Sequence, residues 1–227
     1  MKNKIDKFIA LADIFDKNGY ELFLVGGSAR DYLLKCDFKD FDVASSATPD
    51  EIKKFLPGID MTFAKYGSVS CRIDDTDFDI TTFRKEWKYI DSRHPSKIEF
   101  ISDMSIDYIR RDFTINAIYI DKNLDVYDFG SSIIDLSGRL IRMIGQPKQR
   151  IEEDPLRILR AIRFSLVLDF EIEESLEFAI KKYSSKLSEL NKDKINQEIK
   201  KMKDAGISSF EIKAEFSKYN VLPGWKI

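Results

Sequence analysis

The stretch that most constrains the fold is "LVGGSARDYLLKCDFKDFDVA", which runs from Leu24 to Ala44. An apolar strand ends there in two glycines, a helix pattern follows, and a short strand then begins around Asp40 and Asp42. Glycine in a strand-to-helix turn lets the backbone approach a ligand closely, and the N–H groups at a helix start favour phosphate. The stretch therefore predicts an α/β unit with an anion site beside two carboxylates.

The two aspartates are two positions apart, so on a strand their side chains point to the same side. Two carboxylates so close repel each other unless a cation intervenes, and a pair of divalent cations could use them to bind a triphosphate and activate a hydroxyl. Asp79 lies on a later predicted strand that could pair beside them, with Asp77 as the alternative. An isolated Asp-x-Asp is usually a surface feature, but with the glycine turn and a third carboxylate it indicates nucleotidyl transfer.

Composition narrows the chemistry. His94 is the only histidine in 227 residues, so a multi-histidine metal site is excluded. Metal binding would rest on carboxylates, which favour magnesium, calcium or manganese. The two cysteines, Cys36 and Cys71, indicate reduced thiols in a cytoplasmic protein rather than a disulfide framework. No apolar run approaches the roughly 20 residues of a membrane span, and no signal peptide is evident, so we expect no membrane association.

The hydrophobic pattern divides the chain in two. Short strands and helices alternate at first, with a period-two hairpin around Asp74. The polar segment "RKEWKYIDSRHPSKIEF" has no clean period and is predicted to be a long loop. From Asp154 onward the pattern is helical in four successive segments. We therefore predict an α/β domain at residues 1–142 and a helical domain at 143–227.

The first helical segment, "EDPLRILRAIRF", contains Asp154, Arg157, Arg160 and Arg163 at intervals of three residues. On a helix they form a polar ribbon opposite an apolar stripe, which is typical of a salt-bridged surface helix. Three arginines outnumber the local acids, however, and Ala161 among them leaves space. An arginine fork beside an aspartate can pair with the edge of a base.

Residues 181–203 carry eight lysines against three acids, Glu189, Asp193 and Glu198. Such a stretch is either a solvated helix face or a surface for a polyanionic partner.

Together these stretches resemble the class II tRNA nucleotidyltransferases, the CCA-adding enzymes, and their relatives the bacterial poly(A) polymerases. Five segments resemble family motifs in order: "GGSARD", "DFD", "RRDFTINAI", "DFGSSIIDLSGRLIR" and "EDPLRILRAIRF". The resemblance implies an α/β nucleotidyltransferase head, a polymerase-beta-like mixed sheet with helices, followed by an all-α neck. It also implies template-independent addition of CMP and AMP, from CTP and ATP, to the 3′ end of tRNA.

The resemblance implies a role for each motif residue. Asp40 and Asp42 would bind Mg²⁺ and act in catalysis with Asp79. The nucleotide would be bound by Gly26, Gly27, Ser28, Arg30, Arg111, Asp112, Asn116, Asp154, Arg157, Arg160 and Arg163. Within this set Asp112 would read the ribose, and Asp154 with Arg157 would pair with the Watson–Crick edge of CTP or ATP.

Departures from the family pattern leave alternatives open. The family's later Glu-Arg pair is represented at best by Asp193-Lys194, with Glu198 following, and the body and tail regions that grip the tRNA elbow are not in the chain. The loop with "DSRHP" disfavours a CC-adding enzyme, and "RFSLVLDF" lacks the basic signature of poly(A) polymerases. The alternatives are an A-adding enzyme or poly(A) polymerase, and a non-catalytic RNA-binding remnant.

Overall fold

The computed structural model describes residues 2–38, 40–87 and 97–225. Within them the chain forms two compact units. The first unit contains the described residues up to 111 together with 115–133, and the second contains 112–114 and 134–225. The change in hydrophobic period predicts a domain boundary after residue 142, and this boundary stays a prediction.

The first unit is built on a six-stranded mixed sheet. Its strands are β1 (Leu22–Leu24), β2 (Phe41–Ser45), β3 (Ser68–Ile73), β4 (Thr76–Thr82), β7 (Tyr119–Ile120) and β8 (Val126–Tyr127). The sheet order is β3-β4-β2-β1-β7-β8. Strands β2 and β4 pair in parallel, and the other neighbouring pairs are antiparallel.

The remaining elements of the first unit are β5 (Arg84–Glu86), β6 (Ile98–Phe100) and the helices α1 (Lys2–Lys17), α2 (Gly26–Leu33), α3 (Pro49–Phe55) and α4 (Met104–Arg110). The sequence predictions of α2 and of the β3–β4 hairpin are confirmed. Along β4 the exposed Asp77 and Asp79 alternate with the fully buried Phe78 and Ile80, as a half-buried strand requires. This alternation directs both carboxylates away from the core.

The prediction of a long loop over "RKEWKYIDSRHPSKIEF" is wrong at its two ends. Strands β5 and β6 pair there in antiparallel register, and the Ile101 N–H donates to the Phe83 carbonyl at 3.0 Å. Mostly polar residues obscure the period of these short strands, and a local pattern does not reveal which distant segment supplies the partner backbone. Residues 88–96, which include the "DSRHP" segment, lie outside the described residues.

The second unit is mainly helical. Its elements are β9 (Leu140–Ile141), α6 (Pro147–Glu153), α7 (Leu156–Leu168), β10 (Glu171–Ile172), α8 (Glu174–Tyr183), α9 (Lys192–Asp204) and α10 (Ser209–Lys218). Helix α5 (Ser132–Ser137) spans the division between the units, and β9 pairs with β10 in parallel. The four predicted helices are confirmed as α7 to α10. In α7 the side chains of Ile158, Leu159 and Ile162 are fully buried, and the helix packs against α9 and α10.

Within the described ranges, no helix has both the length and the apolar content that crossing a membrane requires.

A fully buried carboxylate, Asp107 of α4, joins several elements of the first unit. It accepts hydrogen bonds from Arg110 Nε at 2.7 Å, Arg111 Nη2 at 3.0 Å, the Tyr119 hydroxyl at 2.7 Å and the backbone N–H of Arg84 at 3.1 Å. Burial alone would raise the pKa of Asp107. The two guanidinium charges and the Tyr119 hydrogen bond instead hold that pKa well below its usual range.

We expect Asp107→Asn to lower the free energy of unfolding at pH 7 by about 3–5 kcal/mol, because it leaves buried guanidinium groups without their counter-charge. Urea unfolding measures this loss, and Asp103→Asn at the exposed N-cap of the same helix is the control, since either residue caps well. The folded-state pKa of Asp107 is depressed, so its stabilisation is present above the unfolded pKa of about 3.9 and fades as the pH falls below it. The two variants should therefore converge in acid, and equal losses at pH 7 would refute the role of Asp107.

Candidate active site

Strand β2 and the start of helix α2 position Asp42 together. The Gly27 N–H donates to Asp42 Oδ2 at 3.1 Å. Gly26 has a φ of +62°, and a Cβ at this position would lie 2.9 Å from the same oxygen. Gly26 is therefore required both by its left-handed backbone and by the close approach of the carboxylate. The glycine pair, which the sequence links to a phosphate, holds Asp42 in this structure.

The hydroxyl of Ser28 fastens the backbone of the aspartate pair to α2. Ser28 Oγ donates to the Asp40 carbonyl at 3.0 Å and accepts from the Asp42 N–H at 2.7 Å. Asp40 directly precedes β2, and both aspartates are exposed while Phe41 between them is fully buried. The two carboxylates therefore lie on the side of β2 that faces away from the core, as the spacing predicts.

The parallel pairing of β2 with β4 places Asp79 directly opposite Asp42. The alternative residue, Asp77, is engaged by Arg72 at 3.2 Å. Removal from water raises the pKa of Asp42, although part of its side chain reaches solvent. Removal from water and then the charges of Asp42 and Asp40 raise the pKa of Asp79. A cation at this pair would relieve the repulsion.

The donor set fits a hard divalent cation. Over the ranges that the structure describes, no group of three or more potential ligand side chains is already clustered for a metal. Magnesium is commonly held by one or two carboxylates, with waters and substrate phosphates completing its shell. The carboxylates of Asp40 and Asp42 on one side of β2 match that requirement, and Asp79 lies opposite Asp42 on the neighbouring strand.

Asp42 and Asp79 line a pocket with a volume of about 480 Å³. The other lining residues are Asp60, Phe63, Tyr66, Ser68, Val69, Ser70, Thr81 and Arg84. None of these eight residues belongs to the five motif segments of the sequence. They come from β3, β4, β5 and the turn before β3, and only the pairing of the sheet brings them beside the carboxylates.

Three predicted nucleotide-binding residues come from segments attached to β1 and β7, on the opposite side of β2 from β4. Arg30 Nη1 donates to Asn116 Oδ1 at 2.7 Å, and Arg111 Nε donates to the Tyr119 hydroxyl at 2.8 Å. The charges of Arg111 and Arg30 act to lower the pKa of Asp42, so both guanidinium groups lie within Coulombic reach of it. Asp107, which lies outside the motif segments, orients Arg111.

The arginines of α7 belong to the second unit, and each has a carboxylate partner there. The ion pairs are Arg157–Glu153 at 3.2 Å, Arg163–Glu198 at 2.7 Å and Arg160–Asp112, in which Arg160 Nε donates to Asp112 Oδ2 at 2.7 Å. Burial would raise the pKa of Asp112, but Arg160 holds it below its ordinary value. The excess of arginine along the local sequence is therefore balanced by acids, two of which come from distant segments.

Asp154 lies outside helix α7, whose first residue is Leu156. Its backbone is extended, with φ −149° and ψ 98°, because a residue that precedes proline avoids the helical region. Its carboxylate accepts from the Leu156 N–H at 3.0 Å. The helical spacing expected between Asp154 and Arg157 is therefore wrong, and Ala161, expected to leave space among the arginines, is fully buried.

A mixed sheet that holds paired aspartates beside a helix starting at two glycines is the architecture of a nucleotidyltransferase head, and the predicted fold class is confirmed by solved relatives. The sequence model described as the poly A polymerase head domain matches residues 22–142 of the chain. The chain belongs to this family.

Curated relatives are named CCA-adding enzymes. That of Staphylococcus haemolyticus is 39% identical over 187 residues, which cover 82% of this chain and 47% of the relative. That of Streptococcus pyogenes serotype M5 is 35% identical over 231 aligned positions, which cover 100% of this chain and 57% of the relative. The chain therefore spans about half the length of the relatives it matches.

Two solved structures of CCA-adding enzymes have folds similar to that of this chain. The Bacillus stearothermophilus CCA-adding enzyme in complex with CTP has a TM-score of 0.82 at 28% identity, covering 89% of this chain and 49% of that one. The Thermotoga maritima CCA-adding enzyme complexed with tRNA has a TM-score of 0.76 at 26% identity, covering 95% of this chain and 50% of that one.

We expect Gly26→Ala to destabilise the first unit by about 1–3 kcal/mol more than Gly19→Ala, because the new methyl group would press on the Asp42 carboxylate. Gly19 is the matched control: its φ is +82°, and a Cβ there would meet nothing within 4 Å. Both variants place a Cβ on a left-handed backbone. The difference between their urea midpoints therefore measures the cost of the contact between the new methyl group and Asp42. Equal midpoints would show that Asp42 moves aside without cost.

Proposed function

We propose that this chain provides the catalytic head and the base-selecting segment of a CCA-adding tRNA nucleotidyltransferase. It would add CMP and AMP, from CTP and ATP, to the 3′ end of tRNA without a nucleic-acid template. The observation that carries the proposal is the register of Asp42 with Asp79 beside the Gly26-Gly27 helix start. Relatives named for CCA addition, solved with CTP, ATP and tRNA, support it.

Mg²⁺ is the proposed cofactor, with Asp40 and Asp42 as its protein ligands and Asp79 as the third catalytic carboxylate. When bound, the metal would supply charge stabilisation to the triphosphate and activation of the RNA hydroxyl. Ser28 and Gly27 would then act by holding the two aspartates in register, since their hydrogen bonds go to Asp40 and Asp42.

The proposed nucleotide-binding residues divide between the two units. In the first unit, Arg30 and Arg111 would supply positive charge to the phosphates, with Asn116 orienting Arg30. In the second unit, Asp112 would read the ribose while Arg160 fixes its carboxylate. Base selection would fall to Asp154 and Arg157, supported by Arg163, whose guanidinium Glu198 fixes. A tRNA substrate and nucleoside triphosphates fit a cytoplasmic location.

The runner-up function is an A-adding enzyme or a poly(A) polymerase. The name of the matched family supports this alternative, because the head domain is named for poly(A) polymerases. The order in which C and A are incorporated separates the two functions, and a remnant that binds RNA without catalysis would incorporate neither.

The test supplies tRNA ending before CCA, after C and after CC, with labelled CTP or ATP and Mg²⁺. We expect C to be added to the first two and A to the third. Asp42→Asn should reduce each rate about 10²–10³-fold, because the proposed metal loses a charged ligand. Asp77→Asn is the matched control, since Asp77 lies on the same face of β4 as Asp79 but pairs with Arg72. Addition of A alone to every substrate would favour the runner-up, and full activity of Asp42→Asn would refute the assignment.

The Asp154 carboxylate is expected to govern the choice of base. Asp154→Asn keeps an oxygen to accept from Leu156 but adds a donor, so the exocyclic oxygen of uracil or guanine gains a hydrogen-bond partner that the carboxylate denies it. We expect discrimination in kcat/KM between CTP and UTP to fall by about tenfold or more, since one good base-edge contact is worth about 1–3 kcal/mol. Asp169→Asn, at the exposed end of α7, is the control. Unchanged nucleotide ranking in Asp154→Asn would place base selection elsewhere.

A further inference from the structure

One wall of the pocket beside Asp42 and Asp79 is an exposed turn that lies outside all five sequence motifs. We call residues 60–67 the aromatic turn. Its Phe63 is 62% exposed and lines the pocket together with Tyr66. Lys65 is exposed next to them, and its Nζ lies 4.8 Å from the centre of the Tyr66 ring. Aromatic faces interleaved with a basic side chain are typical of surfaces that bind single-stranded nucleic acid.

The aromatic turn is held firmly to the sheet. The Asp60 N–H donates to the Ser70 carbonyl of β3 at 2.7 Å, and the Tyr66 carbonyl accepts from Arg84 Nη1 at 2.6 Å. At its end the Thr82 N–H donates to the Gly67 carbonyl at 2.7 Å. An exposed aromatic ring on a turn fastened in this way loses little conformational entropy when a ligand stacks on it.

The position of the turn relative to the carboxylates indicates which ligand it meets. Arg30 and Arg111 come from segments on the β1 and β7 side of β2, whereas the pocket is lined, apart from Asp42 itself, from β3, β4, β5 and the aromatic turn. In nucleotidyl transfer the RNA 3′-oxygen bonds to the α-phosphorus, the bond to the bridging oxygen breaks, pyrophosphate leaves and the hydroxyl proton passes to solvent. Attacking and leaving oxygens lie roughly in line, so acceptor and triphosphate reach the carboxylates from opposite sides.

The lining of the pocket suits a nucleoside better than a phosphate. Three carboxylates, of Asp42, Asp60 and Asp79, outnumber the single guanidinium of Arg84, which is paired with Glu86 at 2.8 Å, and carboxylates accept hydrogen bonds from ribose hydroxyls. Ser68 and Ser70 add hydroxyl groups, and the volume of about 480 Å³ is in the range of small-molecule sites. Phe63 lines the pocket and is largely exposed, and Lys65 is exposed two residues away, so both are accessible to the preceding nucleotide of a strand.

We propose that the aromatic turn and the pocket behind it bind the 3′-terminal nucleoside of the acceptor RNA. Phe63 stacks on its base, Lys65 contacts the preceding phosphate, and the 3′-hydroxyl faces Asp42 and Asp79. This inference rests on the proposed function, because only a nucleotide-adding enzyme requires an RNA 3′ end at these carboxylates.

The test compares Phe63→Ala with the unaltered chain in two measurements. The first is binding of 5′-labelled tRNA ending before CCA, by fluorescence anisotropy with Mg²⁺ and without nucleotide. The second is the KM for this tRNA and for CTP. We expect the Kd and the KM for tRNA to rise about tenfold, since stacking on one aromatic ring is worth about 1–3 kcal/mol, while the KM for CTP stays unchanged. Phe63→Trp should restore binding, and Lys65→Ala should reduce the salt dependence of the Kd.

Phe178→Ala is the matched control, because Phe178 is 65% exposed on α8 of the second unit and has no place in the pocket. A higher KM for CTP with unchanged tRNA binding would assign the pocket to the incoming nucleotide and overturn the proposal. Equal behaviour of Phe63→Ala and Phe178→Ala would overturn it as well. Nucleotide addition without dependence on Phe63 defeats this inference alone, whereas Phe63-dependent RNA binding without any addition defeats the proposed function instead.

Discussion

The parallel pairing of β2 with β4 is the constraint on which the candidate active site depends. It sets Asp42 opposite Asp79, and it brings the pocket lined from β3 and β5 beside both carboxylates. On the other edge of β2, β1 leads directly into the glycines that hold Asp42. A shift of one residue in this pairing would turn the acidic side chains into the core and the phenylalanines into solvent.

Compensated burial of charge is the second organising principle. Asp107 in the first unit and Glu198 in the second are both almost completely buried, and each is surrounded by arginine or lysine donors. Such groups stabilise a fold only while every partner is present, because a lone buried charge costs several kcal/mol. The result is a set of guanidinium groups with fixed positions, which is what recognition of phosphates and base edges requires.

Much of the fold follows from local sequence signals. The capping box of Thr48 and Glu51 starts α3, and the alternation along β4 matches its burial. The candidate site is less accessible to such signals. Nothing in the sequence distinguishes Asp107 from the other acids, because its four donors come together only in the fold. Phe63 is a loop residue in the sequence, and β3 and β4 place it beside Asp79. The interval of three residues favours a helical Asp154, but the proline that follows it keeps its backbone extended.

The amino-acid sequence alone predicts an α/β domain followed by four helices, together with the motif residues, and it excludes a metal site built from several histidines of this chain, because each of these depends on residue type and short-range spacing. The folded structure then establishes which carboxylate faces Asp42, which acids neutralise the arginines of α7, and that "RKEWKYIDSRHPSKIEF" begins and ends in paired strands. These outcomes depend on contacts between segments far apart in the chain. Backbone pairing and the cost of burying charge select those contacts, and no local pattern records them.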